Sequence, residues 1–226
     1  MPVKLDLQRF QEAIDKYLQQ PAPTGRIVFY GSSTFTNWSA ECDRRPLEDD
    51  IVNQENQPVA LNRGFGGSTA EELLYYYPTV VRPLAPRALV TYCFPNDRFF
   101  KYKPAEIVEI LDRLFNYART DFPGIKLYHL LPCLYEKQKD NLPYLEDLNN
   151  FIALMEQYRA EQLPELRLLY QVKSPRFFAN PEDVGNYRKP RAELFIEDQM
   201  HLTQEGYDLM RDFFLEELAD ILLSST

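Results

Sequence analysis

This chain reads as an α/β protein built on a parallel sheet, and three observations carry that reading. Short apolar runs alternate with longer stretches of helical period. The runs are dominated by apolar residues, as strands covered on both faces are. Five such runs can be placed, so βαβ units follow. The expected architecture is a doubly wound, flavodoxin-like sheet of five parallel strands in the order 2-1-3-4-5.

Each element has its own signal. Residues 7–19 place Leu7, Phe10, Ile14, Tyr17 and Leu18 at helical spacing, and Pro21 and Pro23 end the pattern. A first strand over 26–30 closes on Gly31. A second, over 58–62, runs into the turn-rich Gly64-Phe65-Gly66-Gly67. A helix over 70–77 is expected to stop at Pro78. The third strand covers 88–92. Pro104 opens a long helix with Ile107, Ile110, Leu111, Leu114, Phe115 and Ala118 on one face. The fourth strand covers 125–131, and Pro143 opens a helix marked by Leu145, Leu148, Ile152, Met155 and Tyr158. A fifth strand over 166–172 precedes a final helix over 204–223, striped by Tyr207, Met210, Phe214, Leu218 and Ile221. Residues 173–197 hold Pro175, Pro181, Gly185 and Pro190 without a clear period, and a connection this long is functional, mobile or a misread element.

No repeat or linker divides the sequence, so one domain over residues 1–226 is expected. A chain of 226 residues with 45% apolar content can bury a sizeable core. The formal charge of −9 argues against nucleic acid or an anionic membrane as partner, since both need a basic footprint. Met1-Pro2-Val3-Lys4-Leu5-Asp6 carries no secretory h-region, and no apolar run approaches a membrane span. Cys42, Cys93 and Cys133 are odd in number and widely spaced, which reads as three reduced thiols in a cytoplasmic protein.

In an open α/β sheet the reactive crevice lies beyond the carboxyl ends of the strands. Strand one delivers Ser32 and Ser33 there, strand two Gly64, Gly66 and Gly67, and strand three Phe94-Pro95-Asn96-Asp97. Far along the chain, Asp198-Gln199-Met200-His201 sets a carboxylate three residues before an imidazole. A serine hydroxyl needs a base to take its proton, and a histidine is a better base when a carboxylate orients it. Only His129 and His201 are present, and His201 alone has an acid at i−3. Acyl transfer also needs donors for the tetrahedral oxyanion, for which a glycine N–H, an asparagine amide and the serine's own N–H are suited.

Plainer roles stand beside these. Ser33 could only cap a helix, with Ser32 as the fallback nucleophile. The glycines could serve turns, Asn96 could form one, and Asp97 could cap the next segment. Asp198 could be an ordinary first-turn acid. His129, inside an apolar strand, reads as a satisfied core histidine. Gly64-Phe65-Gly66-Gly67-Ser68-Thr69 lacks the third glycine of a dinucleotide fingerprint, and no Walker sequence is present. Two distant histidines without a cysteine cluster argue against a zinc site on chemical grounds, and neither metal nor organic cofactor is expected.

The four blocks resemble those of the SGNH hydrolases, the GDSL esterase/lipase family. Gly31-Ser32-Ser33 is similar to the first block, and Asn62-Arg63-Gly64-Phe65-Gly66-Gly67-Ser68-Thr69 to the second. Phe94-Pro95-Asn96-Asp97 is similar to the third, and Asp198-Gln199-Met200-His201-Leu202-Thr203 to the last. The resemblance implies a three-layer α/β/α sandwich and a serine esterase. It implies Ser33 as nucleophile, His201 as base and Asp198 as its orienting acid, with the N–H groups of Ser33 and Gly67 and the Asn96 amide as oxyanion donors. One departure is Phe94, where the pattern has glycine; a changed path into Asn96 and a smaller or more aromatic acyl pocket are expected. The implied substrate is a small-molecule ester with a short acyl group, an acylated carbohydrate or lipid, and a homo-oligomer is compatible with it. The alternative is a catalytically weak binding module that keeps the fold.

Overall fold

The computed structural model describes residues 7–132, 134–178 and 190–222. Five strands form one parallel sheet: β1 (Ile27–Gly31), β2 (Ala60–Asn62), β3 (Ala88–Tyr92), β4 (Lys126–Leu130) and β5 (Arg167–Leu169). Their order is β2-β1-β3-β4-β5, the expected one. β1 and β3 are buried along their whole length, which is why neither shows an alternating pattern in sequence.

Alternate residues of β1 show how the two faces are covered. The Tyr30 hydroxyl donates to Leu73 O of helix α4 (Ala70–Val80), 2.7 Å away. The neighbouring Phe29 ring packs edge-on against Phe214 of helix α8 (Gln204–Glu217), with centroids 4.9 Å apart. Helices α4, α6 (Pro104–Asp121) and α7 (Leu142–Glu161) pack side by side, and with α8 opposite them the chain makes three layers. The remaining helices are α1 (Gln11–Gln19), α2 (Ser33–Thr36), α3 (Leu47–Asp50), α5 (Pro95–Phe99) and α9 (Ala219–Leu222).

The structure departs from the sequence expectation at several elements, β2 among them, which begins at Ala60 rather than at residue 58. Helix α4 passes through Pro78 and ends at Val80, because buried Tyr77 and Val80 hold its last turn against the core. β5 is shorter than expected, since the chain curls into a 3-10 turn at Gln171–Lys173. The final helix breaks at Leu218. Of the connection over 173–197, residues 179–189 lie outside the described ones, as does Cys133. Its described ends form 3-10 turns at Pro175–Phe177 and Ala192–Leu194, joined by a bridge between Phe178 and Pro190.

Candidate active site

The loops after β1, β2 and β3 meet at the carboxyl edge of the sheet. β1 ends on Gly31, where a Cβ would lie 2.7 Å from Tyr92 O of the adjoining strand, so only glycine lets the chain turn there. The turn delivers Ser33 to the first position of α2. Ser32 is only 2% exposed, whereas Ser33 is partly exposed. Its Oγ lies 2.9 Å from Nε2 of His201, and the other ring nitrogen, Nδ1, lies 2.5 Å from Oδ2 of Asp198. A carboxylate can only accept, so Nδ1 carries the proton and Nε2 is left to accept from the serine hydroxyl. The residues expected to act together therefore touch, in the expected order.

Asp198 is fixed by the turn that carries it. Its Oδ1 accepts the N–H groups of Met200 and His201, at 2.8 and 2.9 Å. Burial acts to raise the carboxyl pKa, but the His201 N–H, the imidazole and the Met200 N–H outweigh it and hold the pKa below the usual value. Gln199 takes φ +60 inside this turn and receives Lys137 N–H on its carbonyl at 3.1 Å. Below the turn, Phe195 bridges Leu202, and Thr203 caps α8 by accepting Gly206 N–H at 3.2 Å.

Polar bonds carry this distant segment to the serine. Tyr207 of α8 donates to Thr34 O at 3.0 Å, one residue beyond Ser33. The Arg44 guanidinium donates to Leu202 O at 3.3 and 3.4 Å. Buried Asp50 accepts Trp38 Nε1 at 2.8 Å and Arg45 Nη1 at 2.7 Å, while Arg45 also reaches Asp208 of α8 at 3.3 Å.

The glycine loop is tied to both neighbouring strands. Phe65 N–H and the Ser68 hydroxyl donate to Gly31 O at 2.9 and 3.2 Å. Asn96 Nδ2 donates to Ser68 O at 3.0 Å, which uses one of its two protons and leaves the second. Gly67 lies between these ties at φ +85, a conformation that L side chains rarely adopt. The N–H groups of Ser33 and Gly67 donate to no described residue. Gly66 faces the serine, since a Cβ there would lie 3.9 Å from Ser33 Cβ.

Asp97 has the capping role. It is fully buried and accepts Ala70 N–H at 2.7 Å and Phe94 N–H at 2.8 Å, joining the starts of α4 and α5. Burial raises its pKa to about 6, against the lowering effect of those hydrogen bonds. Phe94 itself stands at φ +109, in the region that favours glycine. The departure from the third block is thus absorbed as backbone strain. Its ring stacks on Phe151 with centroids 4.9 Å apart and is fully buried beside Tyr144 of α7, so it fills core.

His129 is only half satisfied. Nδ1 bonds the Thr91 hydroxyl at 2.9 Å, but Nε2 has no hydrogen-bond partner among the described residues, and burial lowers the pKa to about 3. It is remote in role from the serine cluster. Sequence reasoning did not single out Arg9 or Asp50, since an arginine in a helix and an acid in a polar stretch look like solvated surface. Beside the glycine loop opens a cleft of about 500 Å³, lined among others by Tyr17, Thr36, Glu48, Arg63 and Gly66. Among the described residues no group of His, Cys, Asp and Glu could hold a metal ion, and no helix is long and apolar enough to cross a membrane.

No protein-family model and no curated protein sequence matches the chain. Solved structures do match it. A GDSL-like lipase from Bacteroides thetaiotaomicron superposes with a TM-score of 0.70 at 17% identity, covering 94% of this chain and 98% of the other. A lipase/acylhydrolase from Enterococcus faecalis gives 0.67 at 17% identity, covering 90% of this chain and all of that one. The chain has the GDSL-hydrolase fold. A variant of an acetyl-xylooligosaccharide esterase from Geobacillus Stearmophilus also shares it, with a TM-score of 0.62 at 15% identity over 91% of this chain and 99% of that one. In the GDSL-hydrolase fold of this chain, the four sequence blocks sit on the loops and turn that meet at Ser33.

Proposed function

We propose that this chain, as one domain over residues 1–226, is an SGNH-family serine esterase. It would cleave short-chain carboxylic esters through an acyl-enzyme. The observation that supports this most is the continuous line of hydrogen bonds from Asp198 through His201 to Ser33, across most of the chain's length. Ser33 Oγ attacks the ester carbonyl while His201 Nε2 takes its proton, and Asp198 steadies the resulting imidazolium. The oxyanion is received by the N–H groups of Ser33 and Gly67 and the second Nδ2 proton of Asn96. His201 then protonates the departing alkoxide, and a water activated by the same imidazole releases the acid. No cofactor enters these steps. The acetyl-ester substrate of the Geobacillus neighbour supports an acetyl group on a carbohydrate alcohol, with the cleft beside Gly66 receiving the alcohol. The widely spaced cysteines support a cytoplasmic setting.

A fluorophosphonate probe is expected to label the native chain and not Ser33→Ala, and the same substitution should lower p-nitrophenyl acetate hydrolysis by at least about 10³-fold. A folded native chain that neither takes the label nor cleaves the ester would leave the binding-module alternative. A panel of acetylated sugars and acyl lipids separates the substrate classes.

A further inference from the structure

The glycine loop is gripped from outside by the N-terminal segment. Arg9, in the 3-10 turn that precedes α1, donates through Nη2 to the carbonyl of Gly67. Tyr17, about two helical turns later, donates its hydroxyl to the carbonyl of Gly64. These are the first and last glycines of the loop. Between the two grips the Phe10 ring packs edge-on against Phe65, with centroids 5.0 Å apart. The Arg63 guanidinium lies over Tyr17 at 4.8 Å. Arg9 also stacks on Phe100, 4.9 Å away, the residue that ends the helix carrying Asn96. One guanidinium therefore touches both segments that bear the proposed oxyanion donors.

We infer that Arg9 and Tyr17 are positioning residues of the oxyanion hole, and that the N-terminal helix braces the glycine loop so that the Gly67 N–H stays aimed at Ser33. This rests on the esterase reading above. The physical need is clear. A glycine held at φ +85 directly after another glycine, Gly66, has little of its own to fix it, and a donor helps a developing oxyanion only if it is aimed before charge appears. The Gly67 carbonyl lies in the peptide that follows the donor N–H, so holding it, together with the Gly64 carbonyl at the other end of the loop, fixes both sides of the short stretch that carries the N–H and limits how far it can swing. Burial also raises the Tyr17 pKa strongly, so its hydroxyl keeps the proton it donates.

The test compares Arg9→Met, Arg9→Lys and Tyr17→Phe with the native chain on p-nitrophenyl acetate, with urea unfolding as the measure of folding. Arg9→Met and Tyr17→Phe should each lower kcat by roughly 10- to 100-fold and move KM by less than about twofold. Arg9→Lys, which keeps a donor for the Gly67 carbonyl, should recover most of the loss. Phenylboronic acid forms a tetrahedral adduct on serine, so its inhibition constant should rise by the same factor as kcat/KM falls. Native kcat in both loss variants overturns the brace and leaves the esterase intact. So does a fall in kcat with boronate affinity unchanged. A native chain without hydrolysis or fluorophosphonate labelling overturns the esterase reading and the brace with it.

Discussion

Phe94 shows how much a single residue can conceal. It stands at φ +109 with its ring fully buried, so the backbone asks for glycine while the core asks for a large aromatic. The strain is worth about 1–3 kcal/mol, whereas deleting a buried phenyl costs about 3–5 kcal/mol. The core wins, and Phe94→Gly is expected to destabilise the chain by about 1–3 kcal/mol. Phe94→Ala keeps the positive φ with a Cβ in place and loses the ring as well. It should therefore be less stable than Phe94→Gly, the reverse of the ordinary order of the two residues, in urea unfolding of both variants. Equal stabilities would mean that the backbone there is not strained. From sequence this residue registers only as a departure from the glycine of the third block. Its φ was hidden because it depends on Asp97 accepting the Phe94 N–H and on Phe151, more than 50 residues away, accepting the ring.

At the scale of elements, the sheet was legible and the short helices were not. All five strands announced themselves as mostly apolar runs between turn residues, because strands buried on both faces carry few polar positions; the exposed Lys126 and Arg167 stand only at the starts of β4 and β5. Helices α2, α3 and α5 have five residues or fewer, too few for any period to repeat, and they are held by loops rather than by a stripe. Pro78 misled in a different way. Proline removes one N–H from α4 and was read as a stop, yet Tyr77 and Val80 on either side are buried and carry the helix onward. The proline is therefore tolerated at a cost. Pro78→Ala restores a donor for Leu74 O and relieves the ring's clash with that turn. Against this the unfolded chain gains freedom worth about 0.4–1 kcal/mol. A net stabilisation of about 1–2 kcal/mol is expected from urea midpoints, with esterase activity unchanged. A loss of stability would show that the α4 backbone is shaped around the ring.

At the scale of the whole molecule, the motifs announced which residues meet, but not what holds them together. Ser33 and His201 were legible as partners by chemistry. The ties that close the distance, through Tyr207, Arg44 and Asp50, were not, since each joins segments without a shared pattern. The response of the folded chain to acid is likewise a property of distant groups acting together. His129 is buried with a pKa of about 3 against an ordinary 6.5, so below about pH 6.5 the unfolded chain takes up a proton that the folded chain refuses. That stability is present above pH 6.5 and drains as pH falls towards 3. Asp97 runs the other way. Its pKa of about 6 against an ordinary 3.8 means that the folded chain takes up the proton first, so its contribution is present below 3.8 and lost as pH rises through 6. Each slope is at most about 1.4 kcal/mol per pH unit, and the windows overlap between 3.8 and 6, where the two should largely cancel. His129→Leu removes one arm of this balance and also the unpaired Nε2, while the Thr91 hydroxyl keeps its bond to Tyr128 O at 3.1 Å. Relative to the native chain, the variant should therefore gain stability steadily on acidification, by about 2 kcal/mol between about pH 6 and about pH 4.5. Urea unfolding of both chains across that range measures it. Parallel curves would mean that the histidine is already charged or solvated in the folded state, and that the acid response must come from elsewhere.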